Sequence, residues 1–243
     1  MPSDSVQTSA KDSPRAFFGP ESPYLQRNPE IGFRSEIVRR LLKDNEPIRI
    51  ADVGCGDGSV SLPLLRENGQ AVLLDQSAHM LDMARETYSR GGVAGNAEFV
   101  QGSLEEFSGT DPFDLVLCIG VLAHTNSVAG TIDRLSGMLG AGGVCILQFS
   151  DSAKALARVG RLSSALVSDP YGYELTPSTT LEVITVAEKH GLRMTEVARY
   201  WPILPGMRRI LPFSWRVSYQ QVTCTRNWLS QWGSEVICRF DKL

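Results

Sequence analysis

The stretch Ile50-Ala51-Asp52-Val53-Gly54-Cys55-Gly56-Asp57-Gly58 decides the fold of this chain. An apolar run ends in an acid, and three glycines then alternate with other residues. This pattern predicts a buried parallel strand, a tight turn and the start of a helix. Because glycine lets the backbone bend sharply and approach a ligand closely, the turn also predicts a nucleotide-like cofactor.

The turn differs from the fingerprint of dinucleotide-binding proteins. A GxGxxG motif would place its third glycine at position 59, which is Ser59, whereas the third glycine here is Gly58. Asp52 and Asp57 would repel a pyrophosphate and favour a ligand that carries positive charge. S-adenosylmethionine (SAM) has a sulfonium, an ammonium and no phosphate, so it meets that requirement.

A second acid follows a second short apolar strand. Asp75 ends the run Ala71-Val72-Leu73-Leu74 and lies seventeen residues after Gly58, close to the spacing at which an acid accepts hydrogen bonds from ribose hydroxyls. From these residues onward the chain resembles the class I SAM-dependent methyltransferases. The matching motifs, in chain order, are DVGCGDG at 52–58, LLDQSAHMLDMAR at 73–85, VQGSLEEF at 100–107, FDLVLCIGVLAH at 113–124 and LSGMLGAGGVCILQF at 135–149.

The resemblance implies a binding site for SAM and for its product, S-adenosylhomocysteine (SAH). It implies that Asp52 places the ammonium group, that Asp75 binds the ribose hydroxyls, and that the glycine turn packs against the methionine part. The turn residues concerned are Gly54, Cys55, Gly56 and Gly58. The competing interpretations are an Asp52 that only stabilises the turn and a doubly wound fold that binds no SAM.

On the adenine side the chain departs from the family pattern. Gln76 stands where an apolar side chain often touches adenine, and Ser103 replaces an acid that often binds the adenine amino group. The resemblance therefore leaves the adenine contact to the Ser103 hydroxyl or to the backbone of Leu104. Ile119 and Gly120, which end the fourth strand, are expected beside the sulfonium.

His124 is the candidate general base. It follows the fourth strand at the carboxyl edge of the predicted sheet, where ligands bind, and an unperturbed imidazole titrates near neutrality. The alternative is a histidine that only packs or holds a loop. Before the first strand, Tyr24, Arg27 and Arg34 are candidates to cover SAM or to hold its carboxylate, and each is equally consistent with an ordinary surface residue.

Aromatic residues late in the chain are candidates for an acceptor pocket. Small-molecule sites are typically lined by aromatic side chains with few polar groups. A cap with a small aromatic core of its own would use the same residues. The candidates are Tyr171, Tyr173, Trp201, Trp215 and Tyr219.

Composition narrows the class of protein. The net charge of −3 and the pI of about 5.7 disfavour a nucleic-acid substrate. No apolar run predicts a membrane span, and no Cys/His cluster predicts a metal site. The first residues have no apolar signal region, and the five cysteines form no CxxC pair, so we expect reduced thiols in a cytoplasmic protein. The sequence leaves the oligomeric state open.

The order of elements predicts an α/β fold. We expect a seven-stranded, mostly parallel, doubly wound sheet with an antiparallel edge strand. Residues 1–15 are expected to be disordered and residues 16–243 to form one domain, with helical and aromatic cap elements at about 16–45, 151–178 and 201–232. Helices are predicted at 59–68, 78–90, 127–139, 151–168, 179–190 and 221–231, among others.

The sequence therefore predicts a metal-independent SAM-dependent methyltransferase with a small-molecule acceptor. Oxygen is favoured over nitrogen as the methylated atom if His124 is the base. One alternative is a SAM-binding sensor or partner subunit without catalysis, which SAM binding without methyl transfer would indicate. Another is a nicotinamide-dependent oxidoreductase, which binding of SAM but not of NAD would exclude.

Overall fold

A mixed β-sheet forms the centre of the molecule. The structure is a computed structural model that describes residues 31–109, 111–154, 175–202 and 207–243. The strands are β1 Arg49–Val53, β2 Gln70–Asp75, β3 Asn96–Gln101, β4 Phe113–Cys118, β5 Leu139–Ser150, β6 Leu192–Tyr200 and β7 Glu235–Lys242. They form one seven-stranded sheet in the order β3-β2-β1-β4-β5-β7-β6.

Helices cover both faces of this sheet. The helices are α1 Ile31–Leu42, α2 Ala78–Arg90, α3 Val128–Met138, α4 Thr180–Lys189, α5 Met207–Ile210, α6 Phe213–Thr225 and α7 Asn227–Ser230, with 3₁₀ turns at Leu62–Leu64 and Leu122–His124. Side chains that accept a backbone N–H fix the starts of α2, α3 and α4: Ser77, Ser127 and Thr179 respectively.

The order of the strands creates the position for a ligand. β1 pairs in parallel with β2 on one side and with β4 on the other, so the chain order reverses between them. Connections leave this point toward opposite faces and open a crevice at the carboxyl ends of the strands. The predicted α/β fold is confirmed.

The antiparallel pairs of the sheet are both made by β7, the strand next to the edge strand β6. This strand lies between β5 and β6 and is antiparallel to both. Its central residues Val236, Ile237 and Cys238 are fully buried, as expected for a strand paired on both sides and covered on both faces. The sheet is thereby extended beyond β5, and the segment that precedes β7 reaches the same edge as the crevice.

Two helix predictions are wrong. The α-helix predicted over 59–68 is only the 3₁₀ turn Leu62–Leu64, since Pro63 stands at its start and Leu65 is already extended (ψ 129°). The helix predicted over 221–231 begins earlier, at Phe213, and is broken at Arg226 into α6 and α7. The predictions for 1–15 and for the helix at 151–168 lie largely or wholly outside the described residues.

A search of the described residues finds no helix with the length and apolar character needed to cross a membrane. All five cysteines are free thiols, at positions 55, 118, 145, 224 and 238.

Candidate functional site

A cleft with two chambers lies at the carboxyl ends of β1, β2 and β4. The larger chamber has a volume of about 910 Å³ and the smaller about 580 Å³, both including space open to solvent. Gly54, Gly56, Met80 and Ile119 line both chambers, so the two are halves of one site. The cleft lies at the topological switch point of the sheet, between β1 and β4, which is where ligands bind in folds of this kind.

The glycine turn forms the wall between the chambers. Gly54, Gly56 and Gly58 have φ values of +68°, +56° and +73°, which only glycine adopts without strain. A Cβ atom at Gly56 would meet nothing within 4 Å, because this residue faces the open cleft. A Cβ at Gly54 would lie 2.2 Å from Val121 Cγ2, so Gly54 is required for packing as well.

Gly58 has a different role from its neighbours. A Cβ atom there would lie 2.7 Å from Leu62 and 3.1 Å from Leu73, both of which are buried. Gly58 is not among the residues that line either chamber. It lets the turn pack onto β2, and its predicted contact with a cofactor stays a prediction.

Asp75 connects the second strand to the glycine turn. Its Oδ2 accepts a hydrogen bond from the Gly56 N–H (3.0 Å), and its Oδ1 accepts one from the Ser77 N–H (2.8 Å). Burial raises the pKa of this carboxyl, and backbone N–H groups of Ser77, Gly56 and Gln76 oppose that shift. A carboxylate has about four lone-pair positions, so it can still accept hydrogen bonds from hydroxyl groups of a ligand in the larger chamber.

Asp52 lies at the floor of the smaller chamber. Only 2% of its surface is exposed, and its Oδ2 has no hydrogen-bond partner. Burial, with Asp75 and Asp57 nearby, raises its pKa to about 7. Ser61 lowers the pKa in part, although neither its hydroxyl nor Asp52 Oδ2 reaches good hydrogen-bond geometry. A buried acid without a counter-ion fits a ligand that brings a cation.

Arg34 lies on the opposite side of the smaller chamber, on α1. Its Nη1 would be 3.5 Å from a Cβ atom at Gly120, so the guanidinium reaches the end of β4. Asp57 lines the same chamber and accepts the Ser59 N–H through Oδ1 (3.1 Å). The smaller chamber thus combines two carboxylates and one guanidinium, a set that matches an α-amino acid group.

The residues predicted to contact adenine line the larger chamber. They are Gln76, Ser103 and Leu104, and their contact with adenine stays a prediction. The Ser103 N–H donates to Glu106 Oε2 (2.9 Å), and the Ser103 hydroxyl accepts from the Glu106 N–H (3.3 Å). Ser103 therefore stabilises its own turn as a capping box, and its hydroxyl hydrogen is still able to bond a ligand.

Ile119, Gly120 and His124 also line the larger chamber. Burial lowers the pKa of His124 to about 4, so the imidazole is neutral at pH 7. The titration near neutrality that the sequence suggested is therefore not expected of this histidine. A neutral imidazole can accept a proton, but it is a weaker base than one with an ordinary pKa.

The turn that carries His124 is fixed by the segment after β5. The Thr176 N–H donates to the Ala123 carbonyl (2.8 Å), and the Thr176 hydroxyl donates to the Thr125 carbonyl. The Thr125 hydroxyl in turn donates to the Leu122 carbonyl (2.9 Å). His124 thus sits on a turn held from two sides, which gives its imidazole a defined place in the cleft.

The predicted acceptor aromatics are not brought into the described cleft. Trp201 donates its indole N–H to the Leu229 carbonyl (2.8 Å) and packs edge-on against Tyr219, with ring centroids 6.4 Å apart. Trp215 is 65% exposed. Their role at an acceptor stays a prediction. Four other predicted site residues lie outside the described residues: Tyr24, Arg27, Tyr171 and Tyr173.

Sequence reasoning did not assign several residues that line the cleft. Met80 is 1% exposed and contacts both chambers from the first turn of α2. Its place on an apolar helix face could be predicted, but not that the face ends at a ligand site. The others are Ile31, Val53, Val60, Leu74, Ser77, Gly102, Glu105, Val121, Thr125 and Asn126. Among the described residues, no group of three or more His, Cys, Asp or Glu side chains could hold a metal ion.

Comparison with known proteins is consistent with this geometry. Residues 50–143 match the family described as "Methyltransferase domain". The chain is 24% identical over 180 residues to a ubiquinone biosynthesis O-methyltransferase of Rickettsia felis, an alignment that covers 69% of this chain and 73% of the relative. It is 29% identical over 114 residues to a tRNA 5-carboxymethoxyuridine methyltransferase of Escherichia coli K12, covering 45% of this chain and 44% of the relative.

A solved structure has the same fold. The magnesium protoporphyrin IX methyltransferase from Synechocystis PCC 6803, with bound SAH, superposes with a TM-score of 0.63 at 16% sequence identity. The match covers 89% of this chain and 85% of that protein. At this identity the likeness concerns the fold.

Proposed function

We propose that this class I SAM-dependent methyltransferase methylates a small-molecule acceptor, on oxygen rather than nitrogen and without a metal ion. The observation that carries the proposal is the position of His124. This neutral imidazole lines the same chamber as Ile119 and Gly120, the two residues that follow β4 and are expected beside the sulfonium. A proton acceptor there suits a hydroxyl acceptor, which must lose a proton as it is methylated.

The residues of the cleft fit SAM. Gly56 leaves room for it, and the unpartnered Oδ2 of buried Asp52 calls for a cation such as its ammonium group. Arg34 would hold its carboxylate and Asp75 its ribose hydroxyls. When bound, SAM supplies a methyl group that is already activated on a positive sulfur.

The chain itself has three tasks in such a reaction. The apolar residues Met80, Leu104 and Ile119 exclude water from the cleft. The turn held by Thr176 orients His124 toward the acceptor. An imidazole nitrogen of His124 then accepts the hydroxyl proton, while orientation of the acceptor lowers most of the barrier.

The acceptor class rests on charge and on the relatives. A net charge of −3 is unfavourable for binding RNA or DNA. The relative from Rickettsia felis, named for ubiquinone biosynthesis, aligns over 180 residues, and the tRNA-modifying relative over only 114. Metal independence rests on the sequence, in which the Lys/Asp/Glu constellation of catechol-type methyltransferases is not evident.

Methyl transfer from radiolabelled SAM tests the proposal. The full chain is incubated with a small-molecule fraction of a cell extract or with total tRNA, each with and without EDTA. We expect label in the small-molecule fraction, unchanged by EDTA, as a methyl ether. Label in tRNA, or activity lost with EDTA, would contradict the proposal. SAM binding without any transfer would favour the non-catalytic alternative.

A further inference from the structure

Exposed tryptophans distinguish the segment 201–232 from the rest of the chain. The chain has four tryptophans, and all of them lie in this segment. Nine large hydrophobic side chains are exposed in the described part of the chain, and five of these belong to the segment. They are Ile210 (81%), Trp215 (65%), Val222 (42%), Trp228 (63%) and Trp232 (61%), which we call the Trp face together with Arg226.

Helix α6 has its apolar side outward. Gln220 and Thr223 are 1% and 4% exposed, whereas Trp215 and Val222 on the other side face solvent. Trp215, Val222 and Arg226 recur at the spacing of one helical stripe. A surface helix of a water-soluble domain normally buries its apolar stripe and exposes its polar one. Because Ser214, Ser218, Gln221 and Thr225 are exposed as well, the outer side of α6 is amphipathic, which is typical of a helix at a boundary between water and lipid.

The inner side of the segment is already partnered within the chain. Trp201 bonds Leu229 and packs on Tyr219, and Thr223 accepts the Trp201 N–H (3.3 Å). Helix α6 packs against α1 and β6. The outer tryptophans take no part in these contacts, and they leave an apolar area that another surface could cover.

The charge of the segment identifies that surface. Residues 201–232 contain four arginines and no Asp, Glu or Lys, so the segment is positive within a chain of net charge −3. Tryptophan side chains prefer the boundary between water and lipid, and arginines near it are attracted to anionic headgroups. We infer that the Trp face docks the enzyme on an anionic lipid bilayer, lying on the surface without crossing it.

Docking by this face would bring the cleft close to the bilayer. Helix α6 packs on α1, and α1 contributes Ile31 and Arg34 to the smaller chamber. The inference does not depend on the proposed acceptor, since the Trp face contains none of the residues that line the cleft. If the lipid-docking inference is wrong, the assignment of the SAM site does not change.

Flotation with lipid vesicles tests the inference. The full chain is mixed with vesicles of phosphatidylcholine alone or with about one-third phosphatidylglycerol, and partitioning is measured from flotation and from tryptophan emission. We expect binding and a blue shift only with the anionic vesicles, weakened by high salt. No partitioning into anionic vesicles would overturn the inference.

Surface variants locate the contact. Trp215→Gln with Trp228→Gln should lower the partition coefficient at least about tenfold, because two aromatic rings no longer enter the interface. Arg226→Gln should lower it about fivefold. The matched control, Leu181→Gln with Ile48→Gln, removes two side chains that are 76% and 60% exposed elsewhere, and should change nothing.

Further measurements distinguish lipid docking from a folding defect and from other partners of the Trp face. SAH affinity and the melting temperature should be the same in all variants, which excludes a folding defect. If sedimentation showed that the wild type is a dimer and that the tryptophan variant is a monomer, lipid docking would be contradicted. Binding of tRNA through the same residues, with no vesicle binding, would also contradict it.

Discussion

The two chambers of the cleft differ in what they offer a ligand. The smaller one combines the buried Asp52 with Asp57 and Arg34, and so suits a group with both charges. The larger one has a mixed lining of apolar and polar side chains, and its Asp75 is proposed to accept hydrogen bonds from hydroxyls. One ligand that fills both chambers would therefore have a zwitterionic end and an uncharged, hydroxyl-bearing end, as SAM does and as a nucleotide phosphate does not.

The largest effect is expected where the chambers meet. Gly56→Val should abolish SAM binding, since the new side chain fills cleft space and the φ of +56° strains any β-branched residue. Calorimetry with SAH measures this. Gly142→Val is the matched control, because Gly142 has φ +72° and equal free space outside the cleft. Unchanged affinity in the Gly56 variant would place the cofactor elsewhere.

A change to the larger chamber alone should have a smaller effect. Asp75→Ala removes the acceptor for two hydroxyls and releases the Gly56 and Ser77 N–H groups. SAM binding should weaken by about 2–4 kcal/mol, or roughly 30- to 1000-fold in Kd. Asp114→Ala is the control, because Asp114 also accepts two backbone N–H groups, from Ile48 and Arg49, away from the cleft. A loss under about twofold would contradict this ribose site.

The proposed base should affect turnover without affecting binding. His124→Asn should lower kcat for a hydroxyl acceptor about 10²-fold and leave the Kd of SAM unchanged. Since burial holds the pKa of His124 near 4, this residue should add no pH dependence between pH 6 and 8 in the wild type. His190→Asn is the control; this histidine pairs with Asp133 outside the cleft. Loss of SAM binding in the His124 variant would make the residue structural.

The smallest effect is expected in the smaller chamber and depends on pH. The pKa of Asp52 is about 7 without ligand, and an ammonium group favours its charged form. SAM affinity should therefore fall as the pH drops below 7, by up to about tenfold per pH unit. Asp52→Asn should remove this Asp52-linked decrease and bind more weakly at pH 8. Calorimetry from pH 5.5 to 8.5 measures the SAM affinity of both proteins. If the affinity of the Asp52→Asn variant fell below pH 7 as steeply as that of the wild type, the prediction would be contradicted.

The raised pKa of Asp52 should also make the stability of the ligand-free protein depend on pH. Because the pKa of Asp52 is raised from 3.8 to about 7, the protonated form favours folding, and this stability is lost progressively as the pH rises between these two values. Asp52→Asn should therefore raise the free energy of unfolding at pH 8 by about 2–4 kcal/mol, and by roughly a third of that at pH 5. Thermal melts at the two pH values check this. Equal destabilisation at both would mean that the ionised carboxylate is stabilising.

The sequence predicted the first strands and the glycine turn of the fold well, because their features are local. A strand, a glycine turn and an acid after the next strand are tied to each other by spacing alone, as Asp75 and Gly56 show. The sequence could not predict the burial of His124, which moves its pKa, since that depends on packing from distant segments such as Thr176. The extent of α6 was missed because its outward face breaks the usual apolar periodicity.

A crystal structure with bound SAH tests the central claim most directly. We predict that its ribose hydroxyls bond Asp75, that its ammonium group lies at Asp52 and its carboxylate at Arg34, and that its sulfur is near Ile119 and Gly120. The reverse orientation, with adenine in the smaller chamber, or SAH outside the cleft, would contradict the account of two unlike chambers that bind one ligand.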